Sequence, residues 1–284
     1  MKIFECVPNV SEGRDAATLA ACARAIEDAG VTLAHRTHDA IHHRSVFTYF
    51  GAGEPVLDAA LALARVAAER IDLRVHRGAH PRIGALDVLP FVPFGDATES
   101  EAVALAREAA TRIWHELRVP SFFYGAASEA TRVLADVRRG EFEGLQARAD
   151  FDTGETPHVR GGAIAIGVRG PLVAFNVVLA NGDLALAKSI ARALRERDGG
   201  LCTLRALGIA LADGRVQVSC NITDPNATPL RLVVALVREL ARRAGAVIAR
   251  TELIGLVPRA ALEDVVVHAL GSQTLPRLEA RRSP

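Results

Sequence analysis

The sequence predicts an α+β protein, an α/β sandwich built from two ferredoxin-like subdomains. The C-terminal part alternates strand-like and helix-like patterns in the order β-α-β-β-α-β, and the N-terminal half opens with the same order. A composition with 50% hydrophobic and 24% charged residues allows a packed core. We therefore expect two subdomains, residues 1–169 and 170–284, each a mixed or antiparallel sheet with helices on one face.

In the first subdomain, runs rich in Val, Thr, Tyr and Phe indicate strands, and apolar residues at helical spacing indicate helices. Gly30 is expected to end the first helix, and Thr98 is expected to cap the third. The predicted strands are 3–7, 31–37, 45–51, 86–92 and 121–124, and the predicted helices are 16–29, 54–71, 100–117 and 128–139.

Within the first subdomain, glycine and proline interrupt a polar stretch, residues 140–162, without clear period. We expect a long loop, and loops of this length in compact domains are often functional. The predicted strands of the second subdomain are 172–179, 202–211, 217–222 and 247–253, and its predicted helices are 183–196, 229–244 and 258–269.

Composition and charge exclude several classes of protein. Basic and acidic residues nearly balance, with a net charge of +1, which gives no general argument for nucleic acid or a membrane surface. The apolar stretch 59–68 is too short to span a bilayer. The four cysteines form no C-x-x-C pair, and the first residues read into a strand rather than a signal peptide. We expect a cytoplasmic protein without nucleic-acid or membrane partners.

Three polar clusters lie directly beside predicted strands. The segment 76–87 holds two histidines and two arginines around Gly78 and Pro81, which disfavour a regular helix. The segment 38–44 is rich in imidazole, and the segment 8–14 contains Asn9 and Glu12. Ordinary turn and helix-cap roles for Ser11 or Asp15 explain part of the third cluster. Histidines beside fixed cations indicate proton transfer near anionic groups, but spacing alone does not separate His76 from His80.

A metal site is an alternative for the same histidines. His38 and His42, like His76 and His80, have the i, i+4 spacing that binds zinc on a helix. The first pair lies between strands and the second spans Gly78, and neither belongs to an H-E-x-x-H pattern. We therefore predict no metal site.

Five segments of the chain closely resemble the formiminotransferase family. They occur in order over nearly the whole chain: Val7 to Gly13, His42 to Thr48, His80 to Asp87, Leu172 to Asn176 and Gly255 to Pro258. The resemblance implies two α/β subdomains with folate in a groove between them, and a homodimer. Bifunctional members carry a further cyclodeaminase domain, for which this chain has no room. The family often has asparagine where His43 stands, and the tail after Leu270 is short.

The resemblance implies transfer of a formimidoyl group from N-formimino-L-glutamate to N5 of tetrahydrofolate, in histidine degradation and one-carbon metabolism. Tetrahydrofolate would be a cosubstrate, with no bound prosthetic group. The catalytic histidine of the family falls on His80. The folate-binding segment falls on Thr153, Gly154, Glu155, Thr156, Pro157, His158, Val159, Arg160, Gly161 and Gly162.

Chemistry suggests further roles around that histidine. A carboxylate would stabilise the cationic amidine, and Asp39 is the candidate, with Asp87 behind it. Arg44 and Arg82 are candidates for binding the two substrate carboxylates, unless they form salt bridges with those aspartates. Asn9, Glu12 and His42 complete the expected substrate site. The alternatives are a related one-carbon folate enzyme (formyl transfer or 5-formyltetrahydrofolate cycloligase activity), a non-catalytic folate-binding protein, and a metal-dependent hydrolase.

Overall fold

The computed structural model describes residues 2–130, 132–211, 213–257 and 261, and the chain divides into two compact units, Met1–Arg169 and Gly170–Pro284. We call these the N-terminal unit and the C-terminal unit. The elements of the N-terminal unit are β1 (Lys2–Cys6), β2 (Asn9–Val10), α1 (Ala16–Glu27), β3 (Thr32–Asp39), β4 (Arg44–Gly51), α2 (Gly53–Arg70), β5 (Leu86–Gly95), α3 (Glu99–Leu117), β6 (Ser121–Gly125), α4 (Leu134–Val137), a 3₁₀ helix (Leu145–Ala147) and β7 (Ile164–Val168).

The sheet of the N-terminal unit has a ferredoxin-like half and a parallel extension. β1 and β2 share one position between β4 and β5, and β3 pairs with β4 on the outside; these pairings are antiparallel. β7 adds to β5 in parallel, and β6 adds to β7 in parallel. The sheet is therefore mixed.

Helices α1, α2 and α3 bury their apolar sides against one face of this sheet. Phe47, Tyr49 and Phe91 are among the largest side chains in the core between them. Because side chains alternate across a strand, Val88, Phe122 and Ala165 point to the opposite face. There they pack with Val137 of α4 and Leu145 of the 3₁₀ helix, so residues 134–147 cover that end of the sheet.

Helix starts follow the sequence signals. Asp15 caps α1 by accepting from the backbone N–H of Ala17 and Thr18. Thr98 caps α3, as predicted, and forms a reciprocal capping box with Glu101. Such caps satisfy backbone donors that the first helical turn leaves unpaired, typically for ~1 kcal/mol each.

The C-terminal unit has a four-stranded antiparallel sheet in the ferredoxin-like order: its last strand pairs with its first, the first with the third, and the third with the second. Its elements are β8 (Val173–Leu179), α5 (Leu184–Leu194), a 3₁₀ helix (Glu196–Asp198), β9 (Leu204–Ala210), β10 (Val216–Ile222), α6 (Leu230–Arg243) and β11 (Ile248–Ile254). Alternate residues of β8 and β10, such as Phe175 and Val218, pack against α5 and α6. The predicted fold class is confirmed.

Three element predictions need correction. The helix predicted over 128–139 is confined to α4, because a backbone bond from the N–H of Gly125 to Arg132 O turns the chain back onto the end of β6. β7 was missed, although Ile164–Val168 is an apolar run, because it directly follows the glycine-rich loop. The two-residue β2 was also missed. The helix predicted over 258–269 lies outside the described residues, apart from residue 261.

The predicted loop 140–162 is tied to its surroundings at several points. The N–H of Leu73 donates to Arg160 O at 2.9 Å, and the N–H of Ser121 donates to Thr153 O at 2.9 Å. Gly84 and Gly162 form an isolated β-bridge. These backbone contacts hold the loop in one conformation although it has little regular secondary structure.

Adding a methyl group at Gly84 tests this packing. A Cβ there would lie 2.1 Å from Ala163 O and 2.4 Å from Leu86 O, both backbone atoms that cannot rotate away. Gly84→Ala should therefore lower the free energy of unfolding by ~1–3 kcal/mol, measured by urea denaturation. Gly170→Ala is the matched control, because no atom lies within 4 Å of its added Cβ. Equal stability of the two variants would contradict the described approach.

Candidate active site

One buried carboxylate, that of Asp87 near the start of β5, is the centre of the polar cluster. Its Oδ1 accepts from the backbone N–H of Ile83 at 2.7 Å and of Gly84 at 3.3 Å. Its Oδ2 accepts from Arg44 Nη1 at 2.8 Å and from Arg138 Nη2 at 2.6 Å. Burial alone would raise the pKa of Asp87, but the charges of Arg138 and Arg44 outweigh it and hold the pKa well below its usual range. Asp87 is therefore an anion at neutral pH.

Arg44, the first residue of β4, is held in place from two sides. Its Nε donates to Asn9 Oδ1 at 3.0 Å, while Asn9 Nδ2 donates to Val7 O at 3.0 Å. Burial, with the neighbouring charge of Arg138, lowers the pKa of Arg44 to about 10, so the guanidinium stays charged at neutral pH. Asn9 thus orients Arg44, and this hydrogen bond joins the polar segments 8–14 and 38–44.

His80 lies beside this charged group with a defined tautomer. Its Nδ1 is 2.7 Å from Pro81 O, a contact that requires Nδ1 to carry the proton. Burial, followed by the positive charges of Arg44 and Arg138, lowers the pKa of His80 far below its ordinary value. The imidazole is therefore neutral at neutral pH, and its Nε2 carries a free lone pair that can accept a proton.

His42 and Asp39 adjoin His80. The rings of His42 and His80 meet edge-on with centroids 6.3 Å apart. Asp39 Oδ1 lies 3.1 Å from His42 Nδ1 and accepts from the backbone N–H of Ile41 and His42, each at 2.7 Å. Burial works to raise the pKa of Asp39, but the N–H and the imidazole of His42 hold it below its usual range. The structure thus brings His80, His42 and Asp39 together.

A second imidazole pair, His43 and His76, supports these loops. The two rings are stacked with centroids 4.1 Å apart and planes 9° apart. His76 Nε2 lies 3.1 Å from His43 O, and His43 Nε2 lies 3.1 Å from Glu12 Oε1. Burial lowers the pKa of His76. His76 is therefore a buried packing residue whose Nε2 contacts a backbone carbonyl, whereas the Nε2 of His80 makes no hydrogen bond to any residue that the structure describes.

Glu12 is occupied by the backbone around it. Its Oε1 accepts from the N–H groups of Gly13, Arg14 and Asp15 at 2.8, 2.7 and 2.9 Å. The carboxylate therefore fastens the turn between β2 and α1 and, through His43, the adjoining loop. This explains a glutamate that turn propensity alone had left unexplained.

Glycines allow the loops to approach each other. A Cβ on Gly78 would lie 2.5 Å from His42 O, and a Cβ on Gly13 would lie 2.2 Å from Asp39 O. The N–H of Ala79 donates to Ile41 O at 3.1 Å. The segment that carries His80 is thus fixed directly to the segment that carries His42.

Arg82 is engaged differently from Arg44. Its Nη1 and Nη2 donate to Glu143 at 2.8 and 2.7 Å, and Nη1 also donates to Glu141 at 3.1 Å. The alternative salt bridge expected with an aspartate is therefore made with two glutamates of the 140–162 loop. A substrate carboxylate would have to displace one of them.

Arg138 is the residue that sequence reasoning missed. It follows α4 directly and contacts Asp87 across 51 positions of sequence. The predicted helix over 128–139 gave no reason to place it near the histidines. The only sequence signal was a basic pair, residues 138–139, at the start of the polar loop.

The proposed folate segment, residues 153–162, reaches the site at its C-terminal end. The N–H of Ala85 donates to Gly161 O at 2.9 Å, and the N–H of Gly161 donates to His158 Nδ1 at 2.8 Å. At its other end, Gly154 has a φ of +87° and packs against Trp114 and Pro120. The side chain of Val159 is 65% exposed. The remaining segment residues are Thr153, Glu155, Thr156, Pro157, Arg160 and Gly162, of which Arg160 pairs with Asp72 at 3.4 Å.

The described residues show neither a metal-binding cluster nor a membrane-spanning helix. Among them, no three His, Cys, Asp or Glu side chains group in a way that could hold a metal ion. In the same part of the chain, no helix is both long and apolar enough to cross a membrane.

Comparison with known proteins gives matches along the whole chain. The family described as "Formiminotransferase domain, N-terminal subdomain" matches residues 3–169, and "Formiminotransferase domain" matches residues 174–281. A "Glutamate formimidoyltransferase" of Streptococcus pyogenes serotype M1 is 40% identical over 281 residues, covering 95% of this chain and 93% of that protein. One of the same name from Thermoplasma acidophilum is 38% identical, with the same coverage. The "Formimidoyltransferase-cyclodeaminase" of Gallus gallus is 36% identical over 98% of this chain but only 54% of its own length.

Removing the charge of Asp87 should destabilise the fold strongly. Asp87→Asn leaves two buried guanidinium groups without their carboxylate, and breaking a buried pair this way costs ~3–5 kcal/mol. Because the pKa of Asp87 is lowered on folding, the stability it contributes is complete above the ordinary carboxyl pKa. It is lost as the pH falls through the lowered value.

Chemical denaturation at neutral and acid pH measures both effects. Asp58→Asn is the control, since Asp58 is an exposed partner of Arg112, and should change stability by no more than ~0.5 kcal/mol. The account of the Asp87 cluster fails if the two variants are equally stable at neutral pH.

Proposed function

The chain belongs to the formiminotransferase family, and we propose that it transfers the formimidoyl group of N-formimino-L-glutamate to N5 of tetrahydrofolate. The products are L-glutamate and 5-formiminotetrahydrofolate. The single observation that carries this proposal is similarity to a relative named for this activity. The similarity covers 95% of this chain and 93% of that protein. Tetrahydrofolate is a cosubstrate, and an addition–elimination between two substrates calls for no prosthetic group.

His80 is the proposed general acid and base. N5 of the pterin attacks the amidine carbon and forms a tetrahedral aminal, while His80 Nε2 accepts the proton that N5 loses. The same proton then passes to the glutamate nitrogen as its bond to the carbon breaks, so that one imidazole serves both steps. The contact of Nδ1 with Pro81 O supports this proposal, because it aims the unprotonated nitrogen away from the backbone.

Asp39 and His42 are proposed to act on the amidine. A protonated amidine is cationic, and a neighbouring carboxylate stabilises it electrostatically. Asp39 is ionised and half of its side chain is exposed, at 51%. His42 lies between Asp39 and His80 and contacts the substrate in this proposal.

The remaining substrate residues divide into direct and supporting roles. We assign Arg44 to a substrate carboxylate, since its guanidinium keeps its charge in a buried position. Asn9 supports Arg44 through its amide oxygen, and Glu12 supports the loop through backbone contacts. Arg82 joins the substrate only if Glu141 and Glu143 release it.

Tetrahydrofolate is proposed to bind along residues 153–162. The hydrogen bond between Ala85 and Gly161 supports this proposal because it fixes the end of the segment beside the loop of His80. We further propose that the protein acts in the cytoplasm, as a homodimer, in histidine degradation and one-carbon metabolism. These assignments rest on the family.

Loss of the imidazole at position 80 tests the catalytic assignment. His80→Ala should lower kcat for tetrahydrofolate-dependent release of glutamate by ~10²–10⁴-fold, the usual contribution of general acid–base catalysis. His115→Ala, at an exposed position in the last turn of α3, should keep wild-type kcat. Near wild-type turnover in His80→Ala would refute the assignment, and folate binding without any turnover in the wild-type protein would favour a non-catalytic folate-binding protein.

A substitution at the exposed Val159 tests whether residues 153–162 bind tetrahydrofolate. Val159 is 65% exposed, and covering it with a ligand ring would contribute ~1 kcal/mol, so Val159→Ser should raise KM for tetrahydrofolate roughly 3- to 10-fold. KM for formiminoglutamate should not change. Val247→Ser, 61% exposed in the C-terminal unit, is the control. An unchanged KM for tetrahydrofolate in Val159→Ser would place the ring elsewhere.

A further inference from the structure

Two arginines share one carboxylate oxygen at the centre of the site. Among the described residues, the ion pairs of Arg44 and Arg138 both end on Asp87 Oδ2, at 2.8 and 2.6 Å. The other oxygen of Asp87 is taken by two backbone N–H groups. The single negative charge of Asp87 therefore balances only one of the two guanidinium charges, and its oxygens accept no further donor among the described residues.

This arrangement leaves an excess of positive charge in a buried place. The side chain of Asp87 is fully buried, and those of Arg44 and Arg138 are only 9% and 16% exposed. In the described part of the chain, the Nε of Arg138 is buried without a hydrogen-bond partner. A buried charge without a counter-charge is costly, so the pair is suited to bind an anion.

We propose that Arg138 and Arg44 together form the site that binds the α-carboxylate of the amino-acid donor, beside His80. The inference rests on the proposed function, since the donor supplies the carboxylate. In formiminoglutamate, the α-carboxylate sits on the carbon that carries the reacting nitrogen. An anion site next to the proton-transfer group therefore suits this carboxylate better than the one at the end of the side chain.

Arg138, and not Arg82 as expected from the sequence, is the second arginine of this site. Arg82 already makes three hydrogen bonds to Glu141 and Glu143. Arg138, in contrast, has one ion pair among the described residues. Its partner is Asp87, whose Oδ2 also binds Arg44. Guanidinium groups recognise carboxylates through paired N–H donors, and Arg138 retains donors for this purpose.

Binding of the donor would also change His80. Burial and, after it, the charges of Arg44 and Arg138 lower the pKa of His80 and make its imidazole a weak base while the site holds no donor. A carboxylate bound to them offsets that charge. The pKa of His80 then rises, and His80 becomes a stronger base when the donor is in place.

Donor analogues separate this role from a structural one. Kinetics would compare wild type, Arg138→Gln and Arg139→Gln with three donors: formiminoglutamate, N-formimino-4-aminobutyrate, which lacks the α-carboxylate, and N-formimino-2-aminobutyrate, which lacks the side-chain carboxylate. Arg139 is the control because its side chain is 81% exposed and pairs with Asp136.

Arg138→Gln should raise KM about 10- to 100-fold for the two donors that carry the α-carboxylate, as expected for loss of a charge-assisted hydrogen bond. It should change KM little for the donor that lacks this carboxylate, and Arg139→Gln should match wild type throughout. Arg138→Lys keeps the charge but not the paired N–H donors of the guanidinium group. Its KM should be intermediate and should again rise only for donors that carry the α-carboxylate. It also provides the test if Arg138→Gln fails to fold.

Four outcomes would overturn the inference. An equal rise in KM with all three donors, or no rise with any of them, would overturn the inference while leaving the proposed function intact. A KM effect confined to N-formimino-4-aminobutyrate and formiminoglutamate would assign Arg138 to the side-chain carboxylate and overturn it as well. Absence of tetrahydrofolate-dependent turnover in the wild-type protein would overturn the proposed function and the inference with it.

Discussion

The buried carboxylate of Asp87 is the interaction on which the site depends. It joins the loop before β5, through Ile83 and Gly84, to the first residue of β4 and to the end of α4. A carboxylate can be buried only where charge and hydrogen bonds replace its water. Here the backbone N–H groups of Ile83 and Gly84 are local, whereas the two charges come from Arg44 and Arg138, far away in the sequence. The contacts that stabilise the buried Asp87 therefore also fix the positions of Arg44 and Arg138. The charges of these arginines add to the effect of burial in lowering the pKa of His80.

Three kinds of environment give the histidines of one small region different roles. His76 is buried, stacked on His43 and engaged through Nε2 by a backbone carbonyl, so it stabilises the loop. His42 is oriented by Asp39. His80 donates from Nδ1 to a carbonyl, and its Nε2 has no hydrogen-bond partner in the described part of the chain. Residue type alone does not distinguish the three, whereas hydrogen-bond partners and burial do.

Much of the fold could be predicted from the sequence because amphipathic helices and their caps are local signals. Thr98 and Glu101 mark the start of α3 within a few residues, and the order β-α-β-β-α-β is enough to indicate a ferredoxin-like sheet in the C-terminal unit. Contacts between residues far apart in the sequence could not be predicted from local patterns. β7 gains its partners from β5 and β6, and the turn at Gly125 that shortens α4 is made by a tertiary backbone bond. In the site, the family resemblance selected His80, but Arg138 lies 51 positions from Asp87 and had no local pattern to reveal it.

The central claim is that one carbon atom moves from the donor nitrogen to N5 of tetrahydrofolate. The most direct measurement is ¹³C NMR of the wild-type reaction with formiminoglutamate labelled at the formimino carbon. The account predicts that the label appears on N5 of tetrahydrofolate while one glutamate is released for each carbon transferred. Label recovered as formamide or formate, with glutamate released whether or not tetrahydrofolate is present, would indicate hydrolysis and contradict the account.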